Sequence, residues 1–178
     1  MAVRPPEGVL EAVGEAVARA RTSQLGPRWA APEQWHLTLQ FLGPVRELAP
    51  VAEALKSLGR LPAFALRLGG GGAFPSARRG RVVWIGAVEG DAEVRGLAGA
   101  VSAALAPLGY EADRRFRSHL TVARMRDPGD VSAAVAALGE GPVGPAFAVE
   151  EVVLYESRLS PKGASYTALA RIPLTGDT

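Results

Sequence analysis

Two short stretches decide how this chain is read: Trp35-His-Leu-Thr-Leu-Gln-Phe-Leu-Gly43 and Ser118-His-Leu-Thr-Val-Ala-Arg124. The chain has only two histidines and six threonines, yet each histidine is followed two places on by a threonine. Side chains alternate faces along a strand. His36 and Thr38 therefore share one face, with Leu37, Leu39 and Phe41 on the other. His119 and Thr121 share a face opposite Leu120 and Val122. Each stretch thus offers an imidazole and a hydroxyl on one side and buries its apolar side. The histidines lie 83 positions apart, close to half of the 178 residues. Two similar lobes facing each other across a groove account for that spacing.

Four polar groups converging in this way suit in-line displacement at phosphorus. One neutral imidazole takes a proton from water, and one imidazolium protonates the departing oxygen. Histidine suits both tasks because its unperturbed pKa lies near neutrality. Two threonine hydroxyls can donate to phosphoryl oxygens, where charge grows in the transition state. The bland alternative is a pair of structural histidines whose threonines merely suit strands. A metal site fits less well, since two imidazoles fall short of the usual protein ligand set and no carboxylate lies inside either motif. Asp113 and Asp127 are the nearest flanking carboxylates. No cysteine and no G-x-S-x-G are present, so a thiolate or nucleophile-elbow scheme has no support.

Around the motifs the chain reads as helices and strands in mixed order. Residues 7–21 form an amphipathic helix carrying Val9, Leu10, Val13 and Val17 on one face. A loop from Gly26 to Pro32 leads into the first motif, read as a strand over 35–43. Helices are expected over 46–58, 91–108 (stopped by Gly109) and 128–139. Further strands are expected over 63–68, 81–88, 116–124, 147–155 and 166–173. The glycines at 69–72 read as a flexible turn, because they lack the sequence of a phosphate loop. The class is α+β, with about six strands and four helices, and no linker cuts residues 1–178 into independent domains.

Net charge is only +2, which excludes a histone-like polycation, but 18 of the 20 basic residues are arginines. Arginine's planar fork suits phosphate, although a GC-rich genome also favours it. No apolar run reaches membrane-span length, and the first residues lack the apolar stretch of a signal peptide. A soluble cytoplasmic monomer is expected, in keeping with the absence of cysteine.

The paired motifs, with Phe-Leu-Gly after the first and Ala-Arg after the second, resemble the LigT-like two-histidine phosphoesterases. These are RNA 2′,3′-cyclic phosphodiesterases, once called 2′-5′ RNA ligases. The resemblance extends to G-x-F-P before Arg-Val-Val-Trp-Ile-Gly (72–86), to Arg114–Arg124, and to Leu154–Tyr166. It implies a bilobal fold, two antiparallel-sheet lobes with outer helices around a central cleft. It also implies metal-independent, cofactor-free opening of a cyclic phosphate at an RNA 3′ end, leaving a 2′-phosphate, with 2′-5′ joining as the reverse. His36 would be the proton donor and His119 the proton acceptor. Two features depart from the family: only Met1-Ala-Val3 stands where an apolar first strand is usual, shortened or truncated, and Ser118 replaces the usual proline.

Several residues carry weaker expectations. Thr38, Thr121 and Arg124 are candidate phosphate ligands. Arg124 lies an odd offset from His119, so reaching the phosphate needs a bend or bulge. Arg117 and Tyr166 are candidate RNA contacts, alongside Arg114 and Arg115 in a basic segment and Arg78, Arg79 and Arg81 in a second cluster. Trp35 and Phe41 could also stack a base, with core packing favoured for Phe41. Three readings of substrate and role stay open: an RNA cyclic end, a small cyclic nucleotide or 2′-5′ oligonucleotide, or non-catalytic binding of RNA ends.

Overall fold

The computed structural model describes residues 1–178 apart from 22–26, 114, 161–162 and 177–178, and apart from the Ser160 side chain. Among the described residues there are nine strands and four α-helices. Strands β1 (Ala2–Val3), β2 (Arg28–Trp29), β3 (Leu37–Thr38), β4 (Phe64–Phe74), β5 (Gly80–Glu89), β6 (Leu120–Gly129), β7 (Phe147–Val149), β8 (Glu151–Ser160) and β9 (Gly163–Pro173) run in the order β7-β4-β5-β6-β3-β1-β8-β9, with β2 added beside β6. Every pairing is antiparallel. The two halves, β7-β4-β5-β6 and β3-β1-β8-β9, join through the single register pair Leu37–Leu120. Each half carries one two-residue-repeat motif at that seam.

Helix α1 (Glu7–Ala20) forms where the 3.6-residue period requires it. Val9, Leu10, Val13 and Val17 are buried, and Glu7 sits in the first turn, where the helix dipole favours an acid. It packs against α4 (Ser132–Leu138), which covers β4 and β5. Helix α2 (Leu48–Leu55) packs against α3 (Asp91–Leu105), and the 3-10 turn after α2 reaches β9. Gly109, at φ +83°, ends the 3-10 turn that follows α3. Leu37, Leu120, Val83 and Ile85 are almost wholly buried in one core with Val9, Val13, Val94, Leu97 and Val101 of the helices. The opposite face of the seam is left for the site.

The glycines at 69–72 are not a turn; they lie inside β4. Packing is the reason. A Cβ on Gly71 would come within 2.7 Å of the Val135 carbonyl and of Leu138 on α4, and one on Gly72 within 2.2 Å of the Trp84 ring. The chain is bare there so that a helix and an indole can press on the backbone. The first motif is regular strand only at Leu37–Thr38, and Phe41, expected in the core, is 77% exposed. After Gln40 the chain leaves the sheet, so period-2 reasoning no longer applies. The strand expected at 147–155 is two strands broken at Glu150, and the second motif's strand runs on to Gly129, which delays α4 to Ser132. Met1-Ala-Val3, though short, supplies a strand paired on both sides, by β3 and by β8.

Candidate active site at the seam

The register at the seam sets the site. With Leu37 opposite Leu120, the antiparallel count places His36 opposite Thr121 and Thr38 opposite His119. Opposed residues of an antiparallel pair point to the same face, so all four polar side chains rise from one side of the sheet. Directly opposed positions have Cβ atoms about 4.5–5.5 Å apart, and diagonal ones about 7–8 Å. The diagonal pairs here are the two histidines and the two threonines.

A cavity of about 1000 Å³ opens over this face, lined by His36, Thr38, Thr121, Arg124, Tyr155 and Tyr166 among others. His119 stands beside Thr38 in the register and is not among the lining residues. Arg124 reaches the cavity through a bulge. Val83 pairs with Ala123 and Trp84 with Thr121, so Val122 is an extra residue in β6. One extra residue exchanges the faces of everything beyond it. Val122 and Ala123 are therefore both buried, while Arg124 turns to the side of Thr121.

The backbone two residues before each imidazole acts on its ring. A nitrogen at Nδ1 of His119 lies 2.7 Å from the Arg117 carbonyl oxygen. A carbonyl only accepts, so in the neutral ring Nδ1 carries the hydrogen and Nε2 keeps its lone pair. For His36 it is the Gln34 backbone, also two residues back, that favours the charged ring. Each ring is also flanked by two aromatics from one hairpin. His36 lies 5.9 Å from Tyr155 and 4.6 Å from Tyr166, on the β8–β9 hairpin, and His119 lies 5.1 Å from Phe74 and 6.4 Å from Trp84, on the β4–β5 hairpin. Trp84 sits directly across from Gly72, which is why the indole can lie over that strand.

These surroundings favour neutral rings. Burial pushes His36 from near 6.5 down to about 4, and the N-terminal ammonium, Arg4 and Arg124 push the same way against the Gln34 backbone. Burial also lowers His119, with Arg124 and Arg117 adding to it and the Arg117 carbonyl and Asp113 opposing. Arg124 thus acts electrostatically on both rings.

The remaining candidates divide. The Arg117 guanidinium lies 5.9 Å from the Trp84 ring. Trp35 is buried against Gly14 of α1, which removes it as a stacking surface. Phe41 lines the cavity mouth. Arg78, Arg79 and Arg81 are exposed away from the cavity lining, and Arg114 lies outside the described residues. Ser118, in the place of the usual proline, is buried with no hydrogen-bond partner for its hydroxyl among the described residues. Among the described residues no group of three or more His, Asp or Glu comes together as a metal-binding set; Asp113 instead accepts the Arg115 amide, at 2.9 Å. Sequence reading missed Tyr155, Phe74, Trp84 and Arg28. The first three stood in matched motifs but gave no signal of their own, because only hairpin register brings them to the histidines.

The family model of the 2′-5′ RNA ligase superfamily matches residues 7–160. The chain is 36% identical over 185 residues to an RNA 2′,3′-cyclic phosphodiesterase of Thermus thermophilus, covering 99% of this chain and 89% of that one. It is 36% identical to the Archaeoglobus fulgidus protein of the same name, over 81% of this chain and 82% of the relative. Among solved structures it is similar to TT0787 of Thermus thermophilus, with TM-score 0.82 and 34% identity over 99% of this chain and 97% of that one. E. coli LigT, solved with NADP+, matches with TM-score 0.73 and 31% identity, over 98% and 95% of the two chains.

Proposed function

We propose that this chain, which belongs to the 2′-5′ RNA ligase superfamily, is an RNA 2′,3′-cyclic phosphodiesterase that uses His36 and His119 as its acid–base pair. The observation that carries the reading is the Leu37–Leu120 register, from which two imidazoles and two hydroxyls face one another on one side of the seam. Water attacks phosphorus in line. As the new P–O bond forms, its proton passes to Nε2 of His119, left open by the Nδ1 contact with Arg117. The bond from phosphorus to the 3′ oxygen breaks, His36 gives its proton to that oxygen, and a 2′-phosphate remains. Thr38, Thr121 and Arg124 take the charge on the non-bridging oxygens.

The donor–acceptor polarity follows the family resemblance. Both rings favour the neutral form, so in this mechanism His36 gains its proton when the anionic phosphate offsets the burial and the positive neighbours. By microscopic reversibility the same groups would join a cyclic end to a 5′-hydroxyl through a 2′-5′ linkage. In this reading Arg117 and Tyr166 contact the RNA, Tyr166 from the cavity lining. The working unit in this reading is residues 1–178 as one monomeric catalytic domain in the cytoplasm; no helix among the described residues is long and apolar enough to cross a membrane.

The test is an RNA with a defined 2′,3′-cyclic phosphate end, incubated in EDTA, with the product end group identified. Wild-type protein should yield the 2′-phosphate. His36→Ala and His119→Ala should each lose about 10²–10⁴-fold in kcat, the usual contribution of positioned acid–base groups. A 3′-phosphate product would overturn the polarity, and full activity in either variant would overturn the mechanism.

A further inference from the structure

The second arginine of the cavity has no part in the chemistry above. Arg28 of β2 pairs directly with Arg124 of β6, and both line the same cavity. Strand β2 is only two residues long and is anchored beyond its end by the Ala30 amide, which donates to the Val122 carbonyl at 2.8 Å. Its position is therefore tied to the bulge that turns Arg124 inward. Like charges directly opposed across two strands are destabilising. Neither guanidinium has an ion pair or hydrogen bond with any described residue. Among the described residues the one side-chain carboxylate lining the cavity, Glu156, is taken by Arg158 at 3.1 Å, while Arg46 is a further arginine of the lining.

A cyclic phosphate carries one negative charge, and the two threonine hydroxyls with Arg124 already answer it. Arg28 is a second fork beside the first, with room for a second phosphate. We propose that Arg28 binds the phosphodiester linking the terminal nucleotide to the rest of the strand, while Arg124 holds the cyclic phosphate. The pair makes the site selective for a cyclic end on a chain over a free nucleoside cyclic phosphate. This rests on the phosphodiesterase reading above and adds a specificity residue to it. Paired forks on successive phosphates use arginine's charge-assisted, bidentate geometry.

The test compares kcat/KM on a nucleoside 2′,3′-cyclic phosphate and on a dinucleotide ending in the same cyclic phosphate. Wild-type protein should prefer the dinucleotide, and Arg28→Ala should reduce that preference by about tenfold or more, the range for a hydrogen bond to a charged group. Replacing the linking phosphate by a neutral methylphosphonate should cost wild-type protein a similar factor and cost Arg28→Ala little more. An equal loss on both substrates would place Arg28 on the cyclic phosphate instead, and an unchanged preference would remove it from recognition; either result overturns the clamp. If wild-type protein opens neither substrate, the phosphodiesterase reading is what fails. Calorimetric binding of the dinucleotide 2′-phosphate then judges the clamp by itself: equal affinity in wild-type and Arg28→Ala rejects it, and about tenfold weaker binding in the variant supports it.

Discussion

Leu37 lies directly across from Leu120, and this one pair joins the two halves of the sheet. Because both leucines point into the core, their neighbours on either side must point out of it. His36 and Thr38, with His119 and Thr121, are those neighbours. A one-residue slip at this pair would bury the histidines and expose the leucines, so the core that stabilises the seam also holds the site in register.

The two threonines should matter as a matched pair. Thr38→Val and Thr121→Val keep the β-branched shape and remove the hydroxyl that the proposed mechanism uses as a donor to the phosphoryl oxygens. Each should lower kcat/KM by about 10–100-fold, as loss of a hydrogen bond to a charged group does, while thermal unfolding stays within a few degrees of wild type. Steady-state kinetics with parallel melting curves check this. A variant with full activity would show that its hydroxyl does not touch the phosphate.

The lowered imidazole pKa values set the direction of the pH dependence. In the free protein both rings lose their protons below the ordinary histidine value, His36 near 4. The donor must be charged, so kcat/KM should peak on the acid side of pH 6.5 and fall as pH rises. Bound phosphate raises both rings, and the kcat profile should lie to the alkaline side of the kcat/KM profile. Coincident profiles centred above neutrality would contradict the burial argument.

The same shifts bear on stability. Both folded-state values lie below the unfolded value near 6.5, so as pH falls the unfolded chain takes up protons first. Stability should fall between about pH 6.5 and pH 4 from this source, with no slope from these groups above that window. Melting temperatures taken over the range in wild type and in His36→Asn should show a shallower loss in the variant. Identical slopes would remove His36 as a cause.

Gly72 lies behind the proposed base, His119, through the Trp84 ring. Its missing side chain is the space occupied by the Trp84 indole, which packs beside His119. Gly72→Ala should displace that ring, costing about 1–3 kcal/mol, the usual range for overpacking, and lowering kcat. Gly96 on α3 has open space for a Cβ, so Gly96→Ala serves as a control that should be neutral or stabilising. Chemical denaturation of both variants separates the packing effect from a general intolerance of alanine.

Phe41, exposed at the cavity mouth, is free to stack on a base. Phe41→Ala should leave the midpoint of unfolding within experimental scatter, since little apolar surface is lost from the core. It should raise KM for a cyclic-ended oligonucleotide about fivefold or more, the lower end of what one base–aromatic stack is worth. A marked loss of stability with unchanged KM would return Phe41 to a packing role.

Much of this molecule was determined by the sequence alone. Two His-x-Thr faces, an amphipathic helix with Val9, Val13 and Val17 inward, and a helical segment ended at Gly109 all follow from local periods and backbone preferences, which act over a few residues. Tertiary structure decided the rest. Arg124 reaches the cavity only because Val122 is an extra residue relative to β5, and Arg28 meets it only because β2 pairs beyond the seam. Gly69–Gly72 became strand because α4 and Trp84 press on its backbone, and Phe41 became surface because the chain leaves the sheet before it. The physical reason is one of range. A residue's alternation depends on its neighbours in sequence, whereas register, bulges and close approach depend on partner strands tens of residues away. The four polar groups of the motifs, with Arg124, Arg117 and Tyr166, could therefore be named in advance, whereas Arg28, Tyr155, Phe74 and Trp84 needed the fold.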